Sequence, residues 1–184
     1  MSFLVSTLAV AMAAVSPAGG FPAQDVTVAE SFQAADGQAT HRAVTFDDKA
    51  VPPGARILVT EHADDGGTEV ELKVEGLQPN RTFGAHVHQK ACGSAAPDSG
   101  PHYQDKADPK QPSTDPAYAN DDNEVWLDFT TDGSGEGDSD ATVDWRFRPD
   151  GARSVVLHDH ATETGQGKAG TAGDRLACVN VPFE

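Results

Sequence analysis

Strict alternation of apolar and polar residues is the feature that most constrains this chain. In Thr68-Glu69-Val70-Glu71-Leu72-Lys73-Val74 every second side chain is apolar. A β-strand turns successive side chains to opposite faces, so Val70, Leu72 and Val74 share one face and Glu69, Glu71 and Lys73 the other. Arg56-Ile57-Leu58-Val59-Thr60-Glu61-His62 is a second, apolar-rich strand, and Ala63-Asp64-Asp65-Gly66-Gly67 between the two reads as a hairpin turn. Further strands are predicted over 40–46, 82–88, 124–130, 141–147, 154–158 and 176–181, with a turn or loop over the Gly/Asp-rich run 132–138. No stretch carries a helical stripe with caps, and no internal repeat is visible. Many short strands between Gly/Asp turns predict an all-β antiparallel sandwich or barrel. The segment 89–123 is long, aperiodic and rich in Pro, Ala and Asp. Ordered loops of that length often carry function.

Charge narrows the partners. With 13 Lys+Arg against 29 Asp+Glu, the formal net charge is −16. Nucleic acid and anionic membrane are both repelled by such a surface. The first 17 residues carry no charge, and the apolar run Phe3–Val15 is too short to span a bilayer. It fits the apolar region of a secretory signal, with cleavage near Ala14 or Ala23. Residues 1–23 are therefore read as a leader and 24–184 as one β domain, secreted or held in the cell envelope. No membrane insertion is expected beyond the leader. Export places Cys92 and Cys178 in an oxidising medium, where they either pair across 86 residues or remain two buried thiols. Two cysteines are too few for a Cys-based zinc finger or an iron–sulfur cluster.

The seven histidines carry the chemistry. His86 and His88 stand at i and i+2 of a predicted strand, so both imidazoles reach one face. His102 follows in the long loop, and His158 and His160 form a second i, i+2 pair closing a strand. Imidazole suits copper and zinc. His86, His88, His102 and His158 are taken together as a metal site, and His41, His62 and His160 as solvated surface residues.

The segments Gly84-Ala85-His86-Val87-His88, Gly100-Pro101-His102, Val155-Val156-Leu157-His158 and Gly170-Thr171-Ala172-Gly173-Asp174-Arg175-Leu176-Ala177-Cys178 occur in an order that resembles the copper–zinc superoxide dismutases. The resemblance covers roughly 39–182. It implies an eight-stranded Greek-key β-barrel, flattened like a sandwich, with the metal site outside the barrel under two long loops. It further implies that His86, His88, His102 and His158 bind copper, that Arg175 is the active-site arginine, that Lys168 helps draw in the anion, and that Cys92 and Cys178 form a disulfide. The implied reaction converts superoxide to O₂ and H₂O₂ as copper alternates between Cu(II) and Cu(I). Arg175 holds the anion and His102 carries a proton.

Two departures follow from the same comparison. Between His102 and Trp126 there is no further histidine, so only His102 and Asp121 or Asp122 match the zinc ligands. One imidazole and carboxylates make a poor zinc site, which points to a copper-only member without zinc. Arg175 follows His158 by only 17 positions, so the intervening loop is short and the metal more open to solvent. Without zinc, His102 needs another partner for its second ring nitrogen, and Asp121, Asp122, Asp159 and Glu163 are the candidates. A copper-holding protein of the same fold without turnover is the competing reading. Retention of Arg175 favours catalysis, since storage has no use for it. Monomer and homodimer both remain open.

Overall fold

The structure, a computed structural model, describes residues 23–35 and 41–184. Most of the expected leader, residues 1–23, lies outside the described residues. The strands are β1 (Gln24–Ser31), β2 (Gln33–Ala34), β3 (Ala43–Thr45), β4 (Arg56–Asp64), β5 (Gly67–Glu75), β6 (Thr82–His88), β7 (Phe129–Thr130), β8 (Gly137–Val143), β9 (Ser154–His158) and β10 (Arg175–Asn180). One sheet runs β1-β4-β5-β8, and the other runs β2-β3-β10-β9-β6-β7. Every pairing is antiparallel except the short β2–β3 ladder. Among the described residues the only helical element is a 3₁₀ turn, Ala96–Ser99. None of them forms a helix long and apolar enough to cross a membrane.

Alternation decides which face goes inside. Val70, Leu72 and Val74 of β5 are buried, and Glu69, Glu71 and Lys73 are exposed. From the opposing sheet, Phe83, Ala85 and Val87 of β6 and Val155 and Leu157 of β9 fill the same core. The two-residue hairpin between β4 and β5 is closed by Asp64 Oδ1, which accepts the Gly66 N–H at 2.6 Å.

The architecture is the expected all-β sandwich, and among the described residues it has ten strands, of which β2 and β7 are two-residue ladders. β1 is an addition: Val26 and Val28 alternate with Asp25, Thr27 and Ala29, a signal overlooked at the end of the leader. The strand expected over 141–147 begins earlier, at Gly137, because pairing with β5 sets its register as Val74↔Gly137. Of the segment 124–130, only Phe129–Thr130 joins β6 as a ladder, while Trp126 makes a single bridge to His86.

One inward position breaks the pattern. Glu61 of β4 is 2% exposed. Its Oε2 accepts the Glu184 N–H at 3.2 Å, and its Oε1 has no partner. Burial, with the nearby Glu184 carboxylate adding to it, raises its pKa from 4.5 to about 7. The folded chain therefore holds this proton more tightly than the unfolded chain. The associated stability is complete below pH 4.5 and is lost as pH rises through about 7. Glu61→Gln keeps an acceptor for the Glu184 N–H and removes the charge. It should raise stability at pH 8 by about 1–3 kcal/mol and change little at pH 4.5. Urea unfolding at the two pH values checks this. Equal gains at both would exclude ionisation as the cause.

Candidate metal centre

β6 and β9 lie side by side with Gly84 opposite His158, His86 opposite Val156 and His88 opposite Ser154. Their inward side chains enter the core, so His86, His88 and His158 emerge on the outer face. Loops cover that face, leaving His86 and His88 fully buried and His158 4% exposed. The loop after β9 crosses directly over Gly84, where a Cβ would come within 2.6 Å of the His160 carbonyl and 2.7 Å of Ala172. His102 arrives from the long 89–123 segment and bridges to His88.

The four rings form one cluster. Centroids of His86 and His102 are 4.1 Å apart, those of His88 and His102 4.8 Å, and those of His86 and His158 4.9 Å. One nitrogen from each ring lies within 4.8 Å of the others. The remaining nitrogens are tied down. Nδ1 of His88 donates to the Gly100 carbonyl at 2.9 Å, and Nδ1 of His158 faces the Gly173 carbonyl at 3.4 Å. Because carbonyls only accept, these contacts put the proton on Nδ1 and leave a lone pair on Nε2. The two Nε2 atoms then face each other at 3.3 Å. His86 Nδ1 is buried without any partner. Lone pairs converging in a buried space are what a metal ion satisfies, so the four histidines fit a metal and form a candidate site for one.

Burial, reinforced by His102, holds His86 and His88 well below the ordinary histidine pKa. Burial also takes His158 down to about 3. All three are thus kept in the neutral form that binds metals.

His102 has a partner outside the expected set. Its Nδ1 donates to Glu124 Oε2 at 2.7 Å. Asp159 instead pairs with Arg81 at 2.5 Å, and Glu163 with Lys168 at 3.1 Å. Asp121 and Asp122 are exposed, and neither belongs to the metal-ligating group found among the described residues. Glu124 is 2% exposed and also accepts Trp126 Nε1–H and Gln104 Nε2–H, each at 2.7 Å. The alternation Glu124-Val125-Trp126-Leu127-Asp128 was the available signal. It puts Glu124, Trp126 and Asp128 on the face opposite the core residues Val125 and Leu127.

Arg175 opens β10 directly opposite His158. Its Nη1 donates to Ser99 Oγ at 2.9 Å and to the Ala96 carbonyl at 3.2 Å. Burial lowers its pKa below the ordinary arginine value, but a guanidinium stays charged. Cys92 and Cys178 form a disulfide with Cα atoms 5.7 Å apart, and Asn180 Oδ1 accepts the Cys92 N–H at 2.7 Å. The segment bearing the Ala96–Ser99 turn is thereby sewn to the strand bearing the arginine. Arg175, His102 and His158 line one cleft of about 300 Å³, walled in part by Ser113 and Gly173.

Of the other histidines, His62 and His160 are exposed as expected, whereas His41 is half-buried. His62 is not merely solvated, since its Nδ1 meets Asp25 Oδ1 at 2.5 Å.

Two packed sheets, with three imidazoles on one of them, a fourth from a covering loop and a half-buried arginine beside them, define a β-sandwich protein with a candidate metal site. The chain belongs to the copper/zinc superoxide dismutase family, whose model matches residues 53–181. Solved structures share the fold. The Cu/Zn superoxide dismutase from Brucella abortus aligns at TM-score 0.53 and 18% identity, over 88% of this chain and 99% of that one. A mutant of a SOD-like protein from Bacillus subtilis aligns at TM-score 0.52 and 16% identity, over 78% and 99%. A double mutant of that protein aligns at 0.51 and 17%, over 80% and 100%. A search of curated proteins found no match.

Proposed function

We propose that this protein is an exported, copper-dependent superoxide dismutase that works without zinc. The observation carrying this reading is the shared cleft, in which Arg175 stands beside His102 and His158 of the four-imidazole site. Bound copper would supply the electron transfer, alternating between Cu(II) and Cu(I) as one superoxide is oxidised to O₂ and a second is reduced to H₂O₂. Arg175 holds the anion through a fixed, charged fork of donors. His102, its Nδ1–H held by Glu124, takes up a proton at Nε2 and gives it back. Glu124 occupies the nitrogen that a second metal would need, which supports a copper-only site. The disulfide supports export, because such bonds persist in oxidising compartments.

An anionic substrate must approach a chain of charge −16. Screening limits the repulsion to about 8 Å at physiological salt, and Arg175 supplies local attraction within that range. Lys168 contributes less, because Glu163 lies 3.1 Å from its Nζ. Arg175→Ala should lower the bimolecular rate with superoxide roughly tenfold or more and flatten its dependence on ionic strength. An unchanged rate would remove Arg175 from the mechanism.

The reading itself is tested by loading the protein with copper and zinc together, measuring metal content, and assaying dismutation. One copper, no zinc and fast turnover are expected. Stoichiometric zinc would overturn the copper-only claim, and copper without turnover would point to storage.

A further inference from the structure

The partner of His86 lies in the loop after β9. Thr162 Oγ1 is 2.6 Å from His86 Nε2 and 2.7 Å from Asp128 Oδ1. Asp128 is held on both oxygens: Oδ2 accepts the Thr162 N–H at 2.6 Å and Oδ1 the Ala85 N–H at 3.2 Å. A carboxylate accepts and does not donate, so the single hydroxyl hydrogen of Thr162 goes to Asp128. The Thr162 oxygen is then left only as an acceptor, and His86 Nε2 must carry the proton. The lone pair falls on Nδ1, the ring atom that is buried without a partner.

We propose that Thr162 and Asp128 are positioning residues for His86. Together they lock one tautomer of a buried imidazole and tie the loop after β9 to the strand that carries His86 and His88. The proposal rests on reading the four histidines as a copper centre. Asp128 lies four residues after Glu124 on the same extended segment, so that segment supplies a carboxylate toward each of two imidazoles: directly to His102, and through a hydroxyl to His86. Thr162 is half-buried and Asp128 is 30% exposed in its side chain, so both can be altered without opening the core.

The test uses the whole chain and three variants: Thr162→Val, which keeps the shape and loses the hydroxyl; Thr162→Ser, which keeps the hydroxyl; and Asp128→Ala, which frees the hydroxyl to donate. Long-range ¹H–¹⁵N NMR of metal-free, ¹⁵N-histidine-labelled protein reads the tautomer without copper. The unaltered chain and Thr162→Ser should show His86 protonated at Nε2. Thr162→Val and Asp128→Ala should show a mixture of both tautomers. Cu(II) titrated against a competing chelator should bind about 10- to 100-fold more weakly to Thr162→Val, with an altered electron paramagnetic resonance spectrum, and within about threefold of normal to Thr162→Ser. His86 protonated at Nδ1 in the unaltered metal-free chain would overturn the proposal. So would a Thr162→Val protein with unchanged tautomer, affinity and spectrum. If the unaltered chain fails to bind Cu(II), only the copper reading falls, because the metal-free tautomers decide the positioning role.

Discussion

Replacing Cys92 and Cys178 together with serine is expected to lower the unfolding free energy by about 4–5 kcal/mol and to disable the site even where the fold survives. The first figure follows from chain entropy. The bridge closes a sequence separation of 86 residues, and releasing a loop of that length restores about 15 cal/mol/K of entropy to the unfolded chain. The second effect is geometric. The disulfide, with Val44 and Val156, forms a small apolar cluster on the outer face of the sheet that bears the histidines. It clamps the segment whose Ala96–Ser99 turn holds Arg175. Guanidinium unfolding with and without reductant should show the stability loss. Dismutation by the folded double variant should fall toward that of Arg175→Ala. A stable double variant with normal turnover would show that the turn holds the arginine without the bridge.

Glu124→Gln is expected to be nearly as severe, despite its conserved shape. Three donors converge on this buried carboxylate: His102 Nδ1 and Trp126 Nε1 on one oxygen, and Gln104 Nε2 on the other. Glutamine offers one accepting oxygen, so its own NH₂ must face at least one of these N–H groups. A buried donor left without an acceptor costs about 1–3 kcal/mol, and more where charge assists the bond. The metal-free protein should lose about 2–4 kcal/mol in thermal or urea unfolding. Copper affinity should fall about 10- to 100-fold, because the charged acceptor that orients a ligand imidazole is replaced by a neutral, weaker one that must also be shared out among three donors. Chelator competition measures the second effect independently of turnover. Normal affinity and stability would mean that His102 is held by its backbone alone.

Much of the fold was legible because β-structure writes its geometry into the chain with period two. The alternation at 68–74 named the inner face of β5 residue by residue. His86-Val87-His88 placed two imidazoles on one face, and the structure puts Val87 in the core between them. Less was legible where pairing, rather than local pattern, decides. Gly137-Asp138-Ser139-Asp140 is poor in strand formers and became strand because β5 sits beside it. Glu124 was not legible as the partner of His102, because it opens a segment that reads as strand and lies outside the loops that carry the candidate carboxylates.

The sequence by itself determined the sandwich class and set His86 and His88 on one face of a strand, because spacing along a strand carries that information, while the role of Arg175 and the pairing of Cys92 with Cys178 were implied only by the family resemblance. Only the tertiary structure decided which carboxylate serves which histidine and what holds Arg175. Glu124 meets His102 across 22 residues, Asp128 meets Thr162 across 34, and Ser99 meets Arg175 across 76. Contacts made across such separations depend on how two sheets and their covering loops close over one another, and no local period encodes that.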